Sequence, residues 1–260
     1  MDSDGVGQMN SQPMRELVHR RGDYGIDAPY ILSGLVTVGA VLLIAAAISL
    51  WIFHMPGVAT GCLVGAALTF ASAASYFYTT RHGKFVVWAQ LLSQAGLRGD
   101  ERIIDLGCGR GAVLLMAAQL LPRGSATGVD IWRTFDQSGN NPEVTRRNAE
   151  REGVLDRIEL LTADIRSIPL PDDSFDVIVS SLAIHNLSNP AARDEVIDEA
   201  VRLMRPGGTL FIADIRATSA YADRLRRRGM ADVVMRYLGW RFCYGGPFFA
   251  TKLVTARKPE

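Results

Sequence analysis

Between Asp27 and Arg81 the chain lacks charge altogether: 53 consecutive residues contain no Asp, Glu, Lys or Arg. Such a gap excludes a water-facing surface over that stretch, since soluble domains carry about a quarter of their residues charged. Cysteine is scarce. Cys62, Cys108 and Cys243 are scattered, with neither a disulfide framework nor a zinc spacing among them, so no metal site is expected. A reducing compartment suits the charged part. Lysine is nearly absent, 3 of the 28 basic residues, a compositional habit without functional meaning. Excess charge of either sign is missing too: 28 basic against 27 acidic residues give a formal net charge of +1, and no nucleic-acid partner is expected. Internal repeats and low-complexity tracts are lacking.

What is present divides in two. The remaining 207 of 260 residues hold all 55 charges, the ordinary density of a soluble domain. The uncharged part predicts a transmembrane helical hairpin over residues 29–80. Its first span is Tyr30–Phe53, about 36 Å long at 1.5 Å per residue, against a hydrocarbon core of about 30 Å. His54-Met-Pro-Gly57 breaks it, and Val58–Thr80 is a second, weaker span rich in Ala, Gly, Ser and Thr. Gly57, Gly61 and Gly65 recur every fourth residue; they either pack the second helix on the first or form a homodimer seam. Trp51 and Tyr76-Phe-Tyr78 sit where interfacial aromatics are expected. A signal peptide fits poorly, because nearly 30 mostly polar residues precede the apolar run and a second run follows. Two buried helices of a soluble protein and a re-entrant hairpin are the alternatives. Arg15, Arg20 and Arg21 flank one end, Arg81 and Lys84 the other, and the connecting turn has no Lys or Arg. Both ends are therefore expected on the cytoplasmic side. Residues 1–28 are expected to be a flexible cytoplasmic tail, with a short surface helix over Met14–Arg21.

From residue 81 onward strands and helices alternate. Strands are predicted at Arg102–Leu106, Ala126–Ile131, Ile158–Leu161, Phe175–Ser180 and Thr209–Ala213, with two more within Trp240–Arg257. Helices are predicted over 83–97, Ala112–Leu121, Pro142–Glu152, Pro190–Met204 and Tyr221–Arg228. The alternation implies an α/β, doubly wound, mostly parallel sheet. Asp105-Leu-Gly-Cys-Gly-Arg-Gly111 links the first strand to its helix, where ligands of such sheets bind. Asp130 ends the second strand, where an acid can accept ribose hydroxyls, so a nucleoside-containing cofactor is implied. Two features separate the candidates. The loop is G-x-G-x-G, not the dinucleotide G-x-G-x-x-G. The nearby Asp105 would repel a pyrophosphate, yet would suit the ammonium and sulfonium of S-adenosylmethionine.

Over about residues 98–258 the sequence resembles the class I S-adenosylmethionine-dependent methyltransferases. Arg102-Ile-Ile-Asp-Leu-Gly-Cys-Gly-Arg-Gly111, Gly128-Val-Asp-Ile131, Thr162-Ala-Asp-Ile165, Ser174-Phe-Asp-Val-Ile-Val-Ser-Ser181 and Leu203-Met-Arg-Pro-Gly-Gly-Thr-Leu210 carry the resemblance in order. Leu170-Pro-Asp-Asp-Ser-Phe-Asp176 is similar to the mixed ubiquinone and menaquinone C-methyltransferase group. The resemblance implies seven strands with the last one, Lys252–Arg257, reversed. It also implies a cofactor site of Asp105, Gly107, Cys108, Gly109, Gly111, Asp130, Ile131, Asp164, Ile165 and Ser180. Within it, Asp130 would hold the ribose, Ile131 would lie beside the adenine, and Asp164 would receive the adenine amino group. His185, after the fourth strand, falls near the expected methyl end as a candidate base or substrate contact, with a structural role as the alternative. The link 132–141 is longer than relatives usually need, and either caps the cofactor or is a plain surface loop. The run Arg224, Arg226, Arg227, Arg228 lies either on anionic headgroups or in water. The expected acceptor is a lipophilic small molecule or lipid. A membrane-tethered cofactor-binding protein without turnover, or an enzyme acting on a protein or polar metabolite, is the rival.

Overall fold

Short aliphatic runs bounded by Gly, Pro and Asp make the strands, and a computed structural model describes residues 16–246 and 249–260. The strands are β1 (Arg102–Leu106), β2 (Ser125–Asp130), β3 (Ile158–Thr162), β4 (Phe175–Ser181), β5 (Met204–Asp214), β6 (Ala231–Tyr237) and β7 (Lys252–Arg257). They form one sheet in the order β3-β2-β1-β4-β5-β7-β6. The first five are parallel, and β7 runs antiparallel between β5 and β6, the expected reversal of the last strand. Chain direction across the sheet switches between β1 and β4, which opens a crevice beyond their C-terminal ends. Ile103, Ile104 and Leu106 are wholly buried, because helices cover both faces.

The helices are α1 (Pro29–Trp51), α2 (Pro56–Tyr78), α3 (Lys84–Gln94), α4 (Ala112–Gln119), α5 (Pro142–Glu152), α6 (Pro190–Leu203) and α7 (Thr218–Arg227). Their ends follow local chemistry. Asn141 and Asn189 accept the Glu143 and Ala191 amides ahead of Pro142 and Pro190, and the left-handed Gly153 closes α5. One expectation fails near the C-terminus. Among the described residues only one strand lies within Trp240–Arg257; the other, β6, comes earlier. As a largely exposed edge strand, β6 needs no alternation of apolar residues and so left none to read. Trp240–Phe242 is instead a short 3-10 turn that buries Phe242.

The two apolar helices are 23 residues each, about 35 Å at 1.5 Å rise per residue. Both are long and apolar enough to cross a membrane, with mean hydropathy 2.6 and 1.6 over their best windows, and only 11% and 17% of those windows is buried. They pack on each other through small residues, with Gly39 against the Phe70 ring and Ala46, Ala59, Ala66 and Ala73 buried. Gly57 and Gly61 face open space, and only Gly65 meets α1, at Leu42, so one of the three glycines lies in the seam between α1 and α2. Nor does the second helix end at residue 80. A π-helical turn, Thr79–Gly83, carries it into α3 as one rod, Pro56–Gln94. The extra residue of a π-turn shifts which side chains face inward, and here Thr79, Thr80 and Lys84 are all buried. Gly83 is required: a Cβ there would overlap the Arg241 carbonyl.

Residues 16–28 are not a free tail. Leu17 and Tyr24 are buried, and Glu152 of α5 accepts from the amides of Arg21 and Gly22 (both 3.0 Å) and from the Tyr24 hydroxyl (2.7 Å), with the Arg20 guanidinium 3.4 Å away. Asn148 reciprocally binds the Asp23 amide and carbonyl. Burial needs polar partners, and a segment reading as hydrophilic finds them on α5. Of the expected Met14–Arg21 helix, Glu16–Val18 is helical; Met14, Arg15 and the rest of 1–15 lie outside the described residues. Glu152→Ala leaves these donors without an acceptor. It is expected to destabilise the fold by about 3 kcal/mol and to speed tryptic cleavage at Arg20 and Arg21, followed by gel; an unchanged digestion rate would contradict the clamp.

Candidate functional site

The crevice beyond β1 and β4 holds a cavity of about 170 Å³. Its floor is the glycine loop, where Gly107 (φ +77°) and Gly109 (φ +50°) adopt left-handed backbone. A Cβ on Gly107 would overlap Ala183, and one on Gly109 would lie 2.5 Å from Gln137 Oε1. Only glycine allows this curvature with the neighbours this close. Asp105 leads into the loop from the end of β1 and is 1% exposed. One oxygen accepts the Leu114 amide (3.0 Å), and the other, Oδ1, has no partner. Burial, partly offset by that amide and reinforced by the Asp130 charge, pushes the Asp105 pKa up to about 8. An unpartnered buried carboxylate oxygen on a cavity wall is costly unless a cation is to meet it.

Asp130, at the end of β2, accepts the Gly109 amide (2.8 Å) through one oxygen and the Trp132 amide (2.6 Å) through the other. It thereby ties the glycine loop to the 132–141 link. That link is not a loose surface loop. Gln137 accepts the Arg110 amide (2.8 Å) and donates to the Tyr24 carbonyl (3.2 Å) and Asp27 (3.1 Å). Ala28 donates to the Asp136 carbonyl and Ser138 to that of Ile26, while Tyr30 of α1 stacks on Phe135 at 4.5 Å. Residues 23–28 and the link thus close over the glycine loop as one polar cover.

On the cavity wall Asp27 gathers four side chains from three parts of the chain. Its carboxylate accepts Lys84 Nζ (2.7 and 2.9 Å), Thr80 Oγ1 (2.7 Å), the Tyr244 hydroxyl (2.7 Å) and Gln137 Nε2. Burial alone would raise its pKa, but the Lys84 charge and these hydrogen bonds hold it below the usual carboxylate range. Phe85, Trp88, Val113 and Met116 supply an apolar wall beside it, and Trp88 is pinned by its indole N–H to Ser181 Oγ (2.9 Å).

Of the residues expected from sequence, Asp105, Gly107, Cys108, Gly109, Asp130, Ile131, Asp164 and Ile165 line this one cavity. Cys108 is buried, which pushes its thiol well above the ordinary range and makes it a packing residue. Asp164 is already held by the Arg166 guanidinium in a two-oxygen pair, whose hydrogen bonds keep its pKa low. Three expected residues do not reach the cavity. Gly111 caps α4 in the left-handed region. Ser180 points to the opposite face of β4 and donates to the Leu106 carbonyl (2.8 Å), while its neighbour Ser181 takes the wall, as strand alternation requires. His185 turns toward β5, with Nδ1 2.6 Å from the wholly buried Asp214 at an angle too oblique for a good hydrogen bond; Asn186 lines the cavity in its place. Asp27, Lys84, Trp88 and Gln137 were not expected. The sequence signal was that Asp27 is the last charge before the uncharged stretch and Lys84 the second after it.

The residues present fit S-adenosylmethionine: a carboxylate short of a cation, a glycine floor, and an acid at the end of β2 with an exposed Ile131 beside it. Residues 104–212 match the family described as "Methyltransferase domain". A methyltransferase named GfsG from Streptomyces halstedii is 37% identical over 48% of this chain and 42% of its own length. A demethylmenaquinone methyltransferase from Symbiobacterium thermophilum is 31% identical over 48% of this chain and 47% of its own length. The chain thus spans under half the length of these relatives. Among solved structures, the [4+2]-cyclase SpnF superposes with a TM-score of 0.55 at 20% identity, covering 68% of this chain and 82% of that one, which speaks for the fold alone. By sheet order and glycine loop the chain has the class I methyltransferase fold, and residues 104–212 within it are similar to the methyltransferase-domain family.

Proposed function

We propose that the protein is a membrane-anchored S-adenosylmethionine-dependent methyltransferase acting on a lipophilic small molecule or lipid. One observation carries the reading: the rod Pro56–Gln94 begins as an apolar helix with few buried residues and ends as the cavity wall bearing Lys84, Phe85 and Trp88. A hairpin that only tethered the domain would need no such continuity. With both ends of the hairpin on the cytoplasmic side, as Arg81 and Lys84 suggest, the cavity stands at the inner membrane surface. The outward Gly57 and Gly61 offer a face for a second copy. The run Arg224–Arg228 is not counted as headgroup-binding: Arg224 and Arg228 pair with Asp198, Arg227 with Asp194 and Arg226 with Asp223.

The cofactor supplies an activated methyl group on a sulfonium, so positioning and exclusion of water can carry most of the acceleration. Asp105 would hold the cationic end, Asp130 the ribose, and the cover formed by Gln137 and Asp27 would keep water out. Phe85, Trp88 and Leu187 offer an apolar surface to an acceptor, and Asn186 offers one amide for orienting it. Among the described residues on the wall, Asp136, whose pKa burial raises, is a carboxylate that could accept a proton from an acceptor that ionises easily. Full-length protein in detergent, given S-[methyl-³H]adenosylmethionine and membrane extract, is expected to place label in the organic phase. Label confined to protein or the aqueous phase would move the acceptor to a polypeptide or polar metabolite. Tight cofactor binding with no transfer to any fraction would favour the non-catalytic alternative.

A further inference from the structure

Lys84 is one of three lysines in the chain, and it is 4% exposed. It stands on the cavity wall beside Phe85 and Trp88. An ammonium has three N–H donors. Two of them reach Asp27, and among the described residues nothing accepts the third. Asp27 does not depend on Lys84 for hydrogen bonds, because Thr80, Tyr244 and Gln137 also donate to it. The pair therefore has a donor to spare and no acceptor. Elsewhere on the same cavity wall, Asp105 Oδ1 is an acceptor to spare. A free ammonium N–H and a free carboxylate oxygen lining one cavity are complementary to an α-amino-acid zwitterion, whose carboxylate and ammonium each want one of them.

Resting on the cofactor reading above, we propose that Lys84, carried on the continuation of the second apolar helix and held by Asp27, binds the carboxylate of the cofactor's amino-acid end. Asp105 then takes the opposite charge. The foot of the apolar hairpin becomes part of the cofactor site, and Lys84 bridges two carboxylates, one from the chain and one from the ligand. Charge-assisted hydrogen bonds to a buried ammonium are strong enough for this contact to be measured in isolation.

The test is calorimetric binding to full-length protein in detergent, using S-adenosylmethionine and its decarboxylated form, which lacks only the carboxylate. Wild type is expected to bind the decarboxylated form at least tenfold more weakly. Lys84→Met would strand Asp27, so the informative variant is Asp27→Asn/Lys84→Met, which removes both charges, with its melting temperature as the control for folding. That variant is expected to lose at least tenfold affinity for S-adenosylmethionine and less than threefold for the decarboxylated form, so that its preference disappears. Lys84→Arg should keep most of the preference. Equal losses for both ligands would assign Lys84 to the fold alone, and unchanged binding of both would leave its N–H to the acceptor; either overturns the proposal. If wild type binds neither ligand, the cofactor reading itself fails, a separate and recognisable result.

Discussion

Asp105→Asn is expected to weaken S-adenosylmethionine binding about 100-fold at pH 8.5, the worth of a buried charge-assisted contact, and to abolish its dependence on pH. In the ligand-free protein the Asp105 carboxyl is pushed up to about 8 by burial, so at pH 7 it is mostly protonated. A cation placed against the unpartnered Oδ1 reverses that preference and releases the proton. In wild type, therefore, affinity should rise about tenfold per unit from pH 6 toward pH 8 and then level off. Close to one proton should leave per cofactor bound at pH 7, measurable by calorimetry in buffers of different ionisation enthalpy. The Asn variant should release none. The sign for stability is the opposite of the usual carboxylate case. The folded pKa lies above the unfolded value of 3.8, so the folded state binds the extra proton and the ligand-free protein loses stability as pH rises from about 4 to about 8. Asp105→Asn should accordingly melt higher than wild type above pH 8 while binding worse. A pH-independent wild-type affinity with no proton release would remove Asp105 as the cation's partner.

A chain begun at Arg81 is expected to lose more than tenfold in cofactor affinity and several kcal/mol in stability. Such a cut follows the start of the alternating strands and helices at residue 81, yet it removes half the cover. Lys84 would keep its buried position without Asp27, Gln137 would lose both acceptors it donates to, and Glu152 would lose the segment it clamps. Affinity and melting temperature equal to those of the full chain would show that the Asp27 network is dispensable. Loss of activity in that truncation would therefore say nothing about a need for lipid. The discriminating variant replaces residues 29–78 by a short linker and keeps Asp27, Thr80 and Lys84. A short linker suffices because the Asp27 amide already lies 3.1 Å from Thr80 Oγ1. If that protein binds cofactor normally but no longer labels the organic phase, the hairpin delivers the acceptor; undiminished labelling would make it an anchor only.

The legible parts of this molecule are those whose causes are local. Strand β1 is a short aliphatic run closed by Asp105, and the turn after it must be glycine, since left-handed backbone admits little else. Asp130 follows from the same logic at the next strand end, and the uncharged helices follow from composition. What the sequence obscured depends on partners far along the chain. Ser180 and Ser181 are adjacent and alike, and only the register of β4 against β1 decides which meets the cavity. His185 lies close in sequence to the cavity residues Ala183 and Asn186, and only the tertiary structure sets its imidazole beside the buried Asp214, 29 residues later. By itself the sequence determined a doubly wound sheet, a cofactor loop and two apolar helices, because periodicity, charge and glycine act within a few residues. The tertiary structure alone decided that Asp27 and Lys84, 57 residues apart across the apolar stretch, close on each other in the cavity. It also decided that the residues before the first helix cover the cofactor loop. Buried charges must be paired, and no local pattern records where the partner will be.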